Sequence, residues 1–204
     1  MLSFPRANGR SLIVVCLVVI ASMTILRGIF AASWDLRVDE AYYWTWSRES
    51  VLSYLDHPPM IAWSVRLGTA IFGDTNFGVR LSGLLAMVGM QIMLADIVWQ
   101  TVRDARYAAI AALLPDTTLD YGLLMSKVAP DTALIAFAMA TAWALVRLAK
   151  SGDLRWWLAV GVFGGCCLLS KYTAVLLLPA ILGYVLIPSW RNRHLASPYF
   201  GLRP

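Results

Sequence analysis

Four carboxylates and a histidine are concentrated in one aromatic stretch, VDEAYYWTWSRESVLSYLDHPPMIAW, at residues 38–63. They are Asp39, Glu40, Glu49, Asp56 and His57. A carboxylate can take a proton from a hydroxyl that attacks carbon, and the stretch could also handle a cation, a metal or a sugar. The stretch directly follows an apolar run that is long enough to cross a membrane. An acid placed beside a membrane carries a desolvation cost. The alternative is a solvated loop whose Tyr and Trp side chains form a belt at the membrane interface.

The composition indicates a membrane protein. The chain has 204 residues, of which 59% are hydrophobic and 14% charged, and its mean hydropathy is +0.66. Soluble domains average roughly 45–50% apolar and about 25% charged. The net charge of +5 is not arranged as a basic stripe along a polar face, so no nucleic-acid partner is expected. The three cysteines have neither a disulfide nor a metal-ligand spacing.

The apolar runs predict an all-α, polytopic transmembrane bundle, because about 20 apolar residues cross a hydrocarbon core. About six spans are expected, at residues 11–30, 77–100, 107–119, 130–148, 156–169 and 173–187. The first run exceeds the roughly 7–15 apolar residues of a signal peptide, which favours an uncleaved anchor over cleavage near residues 31–33. Residues 58–72 are apolar but shorter and contain Arg66, which predicts a helix lying in the membrane interface.

The distribution of charge predicts the orientation of these spans. With a cytoplasmic N-terminus, the inner segments carry most of the basic residues: Arg6, Arg10, Arg103, Arg106, Arg147, Lys150, Arg155, Arg191, Arg193 and Arg203. The outer segments then carry nearly all the carboxylates: Asp35, Asp39, Glu40, Glu49, Asp56, Asp74, Asp116, Asp120 and Asp131. This asymmetry follows the positive-inside rule, so the acidic aromatic stretch is predicted to face the extracytoplasmic side.

Four segments, in order along the chain, resemble the polyprenyl-phosphate-sugar glycosyltransferases of the GT-C type. These include the protein O-mannosyltransferases and the lipid A aminoarabinose and galacturonosyl transferases. The segments are DEAYYWTWSRESVLSYLDHPPMIAW, FGVRL, APDTAL and GGCCLLSKYTAVLLLP. The resemblance implies an enzyme of the bacterial inner membrane, in contact with membrane lipids. It would move a sugar from a polyprenyl-phosphate donor to a hydroxyl of a lipid, glycan or protein on the extracytoplasmic face.

The resemblance also implies two catalytic acids and their partners. Asp39 matches the base, or positioning group, for the acceptor hydroxyl, and Asp131 matches a second acid near the acceptor or sugar. Lys171 and His57 correspond to contacts with the donor phosphate.

Three further residues take supporting roles on the same resemblance. Glu40 completes the first motif, Arg80 orients the site or contacts a headgroup, and Asp56 takes the place of an acid near a divalent metal. That metal is the one cofactor the resemblance raises.

Simpler explanations stay open for several of these residues. Glu40 and Asp131 could be acids that complement a helix N-terminus, the latter beside Pro130. Lys171 could extend along the membrane to the interface. Asp116 and Asp120 are expected to be loop acids, and Asp96, inside the second span, receives no role.

Two departures from the family pattern limit the interpretation. Tyr42 stands where aminoarabinose transferases carry an Arg, which argues against naming that sugar. Family members are also longer, so residues 1–187 are expected to form the N-terminal part of the membrane domain, with 188–204 a basic cytoplasmic tail at a truncation point. An inactive remnant is therefore one alternative. A small transporter is another, although the internal repeats common in transporters are not visible.

Overall fold

The computed structural model describes residues 9–118 and 127–186, and this part of the chain is helical without any strand, as predicted. The elements are α1 (Gly9–Ser33), α2 (Val38–Trp46), α3 (Met60–Phe72), α4 (Asn76–Val102), α5 (Ala105–Thr117), α6 (Pro130–Ser151), α7 (Trp156–Ser170), a 3-10 helix (Tyr172–Leu176) and α8 (Leu177–Leu186).

Three helices, α1, α4 and α6, are long and apolar enough to cross a membrane. Their 25, 27 and 22 residues correspond to more than about 30 Å at 1.5 Å per residue. The other three predicted spans form shorter helices: α5, α7, and the 3-10 helix with α8. The six-span prediction is therefore confirmed for three crossings. The predicted tail at 188–204 and Asp120 lie outside the described residues.

The acidic aromatic stretch begins with a helix rather than a loop. In α2, Tyr43 and Trp46 are spaced by three residues, so they share one helical face. Both are buried and pack in a cluster with Ile61 and Val65 of α3. The alternative of a solvated belt does not describe these two aromatics, because their rings are buried and join α2 to α3 as core residues.

Two glycines let α3 and α4 approach at backbone distance. A Cβ atom placed on Gly68 would lie 2.1 Å from the carbonyl oxygen of Gly78, which is a hard clash with backbone. The Thr75 hydroxyl accepts a hydrogen bond of 3.0 Å from the Gly78 N–H and caps α4, as Thr commonly does at an N-cap. A helix is present within the predicted residues 58–72, as α3, and it is packed tightly on the N-terminal half of α4.

A buried ion pair joins the first and fifth helices. Arg27, inside the first apolar run, donates to Asp116 at 2.5 Å, and both side chains are about 5% exposed. Gln91 of α4 donates to the second Asp116 oxygen at 2.8 Å. The expectation that Asp116 is a loop acid is wrong, because it lies in the last turn of α5 and faces the bundle. An Arg at membrane depth normally turns inwards to such a partner.

Asp96, which received no role from the sequence, belongs to a cluster near the C-terminal end of α4. It accepts hydrogen bonds from the Trp143 indole at 2.6 Å and from Arg147 at 3.0 Å. The Arg147 guanidinium also lies over the rings of Trp143 and Trp156, 5.6 and 5.8 Å from their centroids. These contacts join α4, α6 and α7 at the end of the bundle away from α2.

Candidate active site

Glu40 and Arg80 form a closed, buried ion pair. The Arg80 guanidinium donates to both Glu40 oxygens, at 2.9 and 2.6 Å, and the side chains are 6% and 1% exposed. Arg80 also donates to the carbonyls that end α1: those of Ala31, Trp34 and Asp35, at 3.1, 2.7 and 2.8 Å. The geometry favours a structural role, and the substrate contacts predicted for the two residues stay predictions.

Glu40 is saturated by donors from three segments of the chain. Besides Arg80, it accepts the backbone N–H of Arg37 at 3.0 Å, where it completes the N-terminal turn of α2, and the N–H of Val128 at 3.0 Å. Burial alone would raise the pKa of this carboxyl, but the hydrogen bonds from Arg80, Arg37 and Val128 together hold it below its ordinary 4.5. Glu40 is therefore an ionised carboxylate that fixes the connection leading into α6.

A second ion pair lies at the start of α6, between Asp131 and Lys171, and we call it open because both side chains are partly exposed. Lys171 Nζ lies 2.7 and 2.9 Å from the two oxygens of Asp131, and the side chains are 30% and 56% exposed. Asp131 lies in the first turn of α6, as predicted, and Lys171 directly follows α7. The Cys167 thiol contacts the Leu134 carbonyl at 3.6 Å. Because this contact lies one turn from each charged residue, it aligns α6 and α7 so that the two charges meet.

A tyrosine that the sequence analysis did not select lies among the predicted acids. Tyr43 is 9% exposed. Burial raises the pKa of its hydroxyl above the ordinary 10.0, and the charges of Asp39, Asp131 and Asp56 raise it further. All three carboxylates therefore lie close enough to Tyr43 to act on it electrostatically, although they come from positions 39, 56 and 131 of the sequence. The Tyr43 hydroxyl stays protonated at neutral pH.

The remaining predicted residues lie around this tyrosine. The His57 ring is half-buried and stands edge-on to Tyr43 and to Trp46, with centroids 6.3 Å apart in both cases. Asp56 is exposed and accepts a hydrogen bond of 3.4 Å from the Tyr42 hydroxyl. Tyr42 thus contacts one of the predicted site residues.

Asp39 is exposed, as Asp56 and Asp131 are. It lies in the first turn of α2, next to Glu40 but on a different face, so that Glu40 turns into the protein and Asp39 turns out. A carboxylate in this position is accessible to an incoming hydroxyl, as a general base must be.

An apolar groove opens beside these charged residues. It has a volume of about 480 Å³ and runs between α3, α4, α6 and α7, with Trp63, Leu67, Leu85, Met93, Ala136 and Phe163 among its lining residues. Val128, Ala129 and Thr132, which flank Asp131 in sequence, also line the groove. The lining residues Ala129 and Thr132 are thus neighbours of Asp131 in sequence, although Asp131 and Lys171 are not themselves among the lining residues of the groove.

The described residues do not form a ligand set for the divalent metal predicted at Asp56. In residues 9–118 and 127–186, no three side chains among His, Cys, Asp and Glu come close enough together to hold an ion. Asp56 has instead the hydroxyl of Tyr42 as its neighbour.

Comparison with known proteins decides the family. Residues 56–202 match the family described as dolichyl-phosphate-mannose-protein mannosyltransferase. The chain belongs to this family. The match begins at Asp56, so Asp39 and Glu40 precede it. The resemblance to GT-C glycosyltransferases that the sequence motifs indicated is thereby confirmed.

Curated relatives of this mannosyltransferase-family chain carry related names. A lipid A galacturonosyltransferase, RgtD, of Rhizobium johnstonii is 29% identical over 164 residues, covering 77% of this chain and 33% of the relative. An undecaprenyl phosphate-alpha-4-amino-4-deoxy-L-arabinose arabinosyl transferase of Pseudomonas fluorescens is 29% identical over 188 residues, covering 80% and 32%. The chain thus spans about a third of the length of these relatives. No solved structure matches the chain.

The structure brings most of the predicted site residues into one region. Asp39, Asp56 and Asp131 act on Tyr43, Lys171 pairs with Asp131, and Glu40 with Arg80 lies buried beneath them. The signal that could have selected Tyr43 is its spacing: it is four residues from Asp39 and so lies one helical turn away. This spacing is informative only in a helix, and the sequence suggested a loop here.

Proposed function

We propose that this chain carries the donor-binding and catalytic part of a membrane glycosyltransferase that moves a sugar from a polyprenyl phosphate to an acceptor hydroxyl. The observation that carries the proposal is an apolar groove whose lining includes Ala129 and Thr132, next to the point in the chain where Asp131 pairs with Lys171. A lipid phosphate needs an apolar channel that ends at a cation, because its tail and its headgroup require opposite surroundings.

The groove would hold the part of the prenyl tail nearest the phosphate. Its lining is formed by aliphatic and aromatic side chains of four helices, and burial of apolar surface is favourable at roughly 25 cal/mol per Å². The rest of the tail would remain in the bilayer. The phosphate would then lie beside Lys171, whose ammonium is partly exposed and can exchange Asp131 for a second anion.

The chemistry would take place beside Asp39. As the acceptor oxygen bonds to the anomeric carbon of the sugar, Asp39 accepts the hydroxyl proton, and the bond from that carbon to the phosphate oxygen breaks. Polyprenyl phosphate leaves with the bonding electron pair. Its charge is balanced by Lys171 and by a hydrogen bond from His57. Attack from the side opposite the phosphate inverts the anomeric configuration.

Tyr43 would support this step as a neutral donor. Its hydroxyl remains protonated because it is buried among carboxylates. A protonated phenol in that position can donate to one carboxylate and thereby orient it. Asp131 would keep Lys171 in place until the donor binds.

The proposed setting is the extracytoplasmic face of a bacterial inner membrane, with the N-terminus of the chain in the cytoplasm. The basic residues at the opposite end of the helices support this orientation through the positive-inside rule. The relatives named after lipid A and undecaprenyl phosphate support an undecaprenyl-phosphate donor and a lipid A-like acceptor.

The test is transfer of radiolabel from polyprenyl-phosphate sugars in membranes that contain this chain. Asp39→Asn is expected to reduce transfer by about 10²–10⁴-fold, the usual contribution of a general base. Asp35→Asn is the matched control, since Asp35 is an exposed acid in the segment before α2 that touches Arg80 only through its carbonyl. Equal transfer by Asp39→Asn and the wild type, or no transfer by the wild type with any donor, would contradict the proposal.

A further inference from the structure

A second, polar pocket lies on the face of α3 that points away from the groove. Its volume is about 280 Å³, and it is bounded by the end of α2, by α3 and by the turn that follows it. Its charged lining residues are Arg48, Arg66 and Asp74. The helical spacing divides α3 between two tasks: Trp63 and Leu67 line the groove, whereas Arg66 with its neighbours one turn on lines this pocket.

The charged side chains of the pocket carry a net positive charge, and two of them contact each other. Arg48 pairs with Asp74 and lies over the Trp44 ring, 4.6 Å from its centroid. The Trp44 indole donates to the same Asp74 oxygen at 3.2 Å, so Arg48 is held from two sides. Two arginines against one aspartate leave one net positive charge.

Arg66 is the cation that this arrangement leaves for a ligand. It donates to the Ser50 hydroxyl at 2.5 Å, and within residues 9–118 and 127–186 no ion pair joins it to a carboxylate. The hydroxyls of Ser47 and Thr69, also in the lining, donate to the carbonyls of Trp44 and Arg66 respectively. The two guanidinium groups are therefore the donors that the pocket offers. Guanidinium groups match phosphate oxygens in geometry and charge.

We propose that this pocket binds the phosphate of an anionic glycolipid and so anchors the sugar acceptor, an inference that rests on the proposed transferase function. The pocket adjoins the end of α2, whereas Asp39 lies at its start. The nine residues of this helix span about 13 Å, which a sugar phosphate of one or two rings can bridge. The donor phosphate is placed at Lys171, beside the groove, so each face of α3 would serve one substrate.

Binding can be measured without turnover, which separates this inference from the transferase proposal. The whole chain is purified in maltoside micelles, which contain no phosphate, and titrated calorimetrically with N-acetylglucosamine 1-phosphate. Inorganic phosphate and N-acetylglucosamine serve as comparison ligands. Arg66→Gln is expected to weaken binding of the sugar phosphate by at least about 10-fold. Arg66→Lys keeps the charge but loses the paired N–H donors of the guanidinium group. Its affinity for the sugar phosphate is expected to lie between those of Arg66→Gln and the wild type.

Arg155→Gln is the matched control for this titration. It removes the same charge from an exposed arginine between α6 and α7, at the end of the bundle away from α2, and is expected to bind like the wild type. Equal weakening by Arg66→Gln and Arg155→Gln, or no binding by the wild type, would overturn the inference even if transfer depends on Asp39.

A repeat in phosphatidylglycerol nanodiscs distinguishes the sources of phosphate. Retained binding of the sugar phosphate, tighter than that of inorganic phosphate, supports an acceptor site. Binding that is lost in these discs assigns the pocket to a membrane headgroup, and equal binding of inorganic phosphate assigns it to the free ion. Either of these results overturns the acceptor role.

Discussion

Two ion pairs each join residues that are 40 positions apart in the sequence. They differ in burial and in the number of further hydrogen-bond partners. Glu40 and Arg80 are buried, and Glu40 also accepts hydrogen bonds from the backbone of two further segments. Asp131 and Lys171 are both partly exposed, and each has the other as its described side-chain partner. One pair has no room for a ligand, and the other can exchange a partner.

The difference shows how one chain can bury one ion pair within the structure and leave another exposed to solvent. The Glu40 carboxylate binds the N–H of Val128, three residues before Asp131, so the closed pair fixes the segment that presents the open one. An isolated charge at this depth would be costly. A cation that is to bind an anionic ligand therefore needs a counter-ion before the ligand binds. Asp131 is that counter-ion for Lys171.

Breaking the closed pair is expected to have the largest effect on stability. Glu40→Gln leaves Arg80 buried without its carboxylate, which typically costs about 3–5 kcal/mol. The measurement is thermal unfolding of the purified chain in detergent, with Glu49→Gln as control, because Glu49 is an exposed acid of the same stretch. A midpoint for Glu40→Gln equal to that of the control would contradict the structural role.

The same pair predicts a pH dependence with a definite sign. The pKa of Glu40 is held below 4.5 in the folded chain, so the folded state favours the ionised form. The stabilisation is complete above pH 4.5 and is lost as the pH falls below this value through the folded pKa. Unfolding midpoints of the wild type and of Glu40→Gln are expected to converge below pH 4.5. A difference that stays constant down to pH 3 would be inconsistent with this linkage.

Neutralising Asp131, the acid of the open pair, is expected to change stability less than Glu40→Gln does. It is also expected to strengthen binding of the lipid phosphate. Asp131→Asn releases Lys171 and removes one negative charge from beside the proposed phosphate position. Binding of undecaprenyl phosphate is expected to tighten by about 2–5-fold, and stability to change by less than about 1 kcal/mol, as for exposed pairs in general. Weaker donor binding in this variant would show that Asp131 contacts the donor directly.

A third ion pair lies at the surface, away from the groove, and its loss is expected to have the smallest effect on binding and stability. Asp104 caps α5 and pairs with Arg106. Asp104→Asn keeps a good capping residue and removes only the charge. Neither donor binding nor the unfolding midpoint is expected to change beyond experimental error. A clear loss of donor binding here would mean that charge anywhere on the chain affects it.

The sequence was sufficient for the helical fold, the family and most of the charged residues of the site, because each depends on a local signal. Long apolar runs predict α1, α4 and α6, and Asp131 follows a proline that starts a helix. The Glu40–Arg80 pair could not be predicted, because it depends on how the end of α1 packs against α4. Arg27 was visible as a cation inside an apolar run, but its partner Asp116 lies 89 residues away, and no local pattern joins them.

The central claim is that Lys171, the ion-pair partner of Asp131 at the start of α6, binds the donor phosphate. The most direct test is the affinity of the chain, in phosphatidylcholine nanodiscs, for undecaprenyl phosphate, compared between the wild type, Lys171→Gln and Lys150→Gln. Lys150 lies in the last turn of α6, at the other end of the same helix as Asp131. The account predicts a loss of about 10–100-fold for Lys171→Gln, the range for a charge-assisted contact, and wild-type affinity for Lys150→Gln. Equal affinity of all three proteins would contradict it.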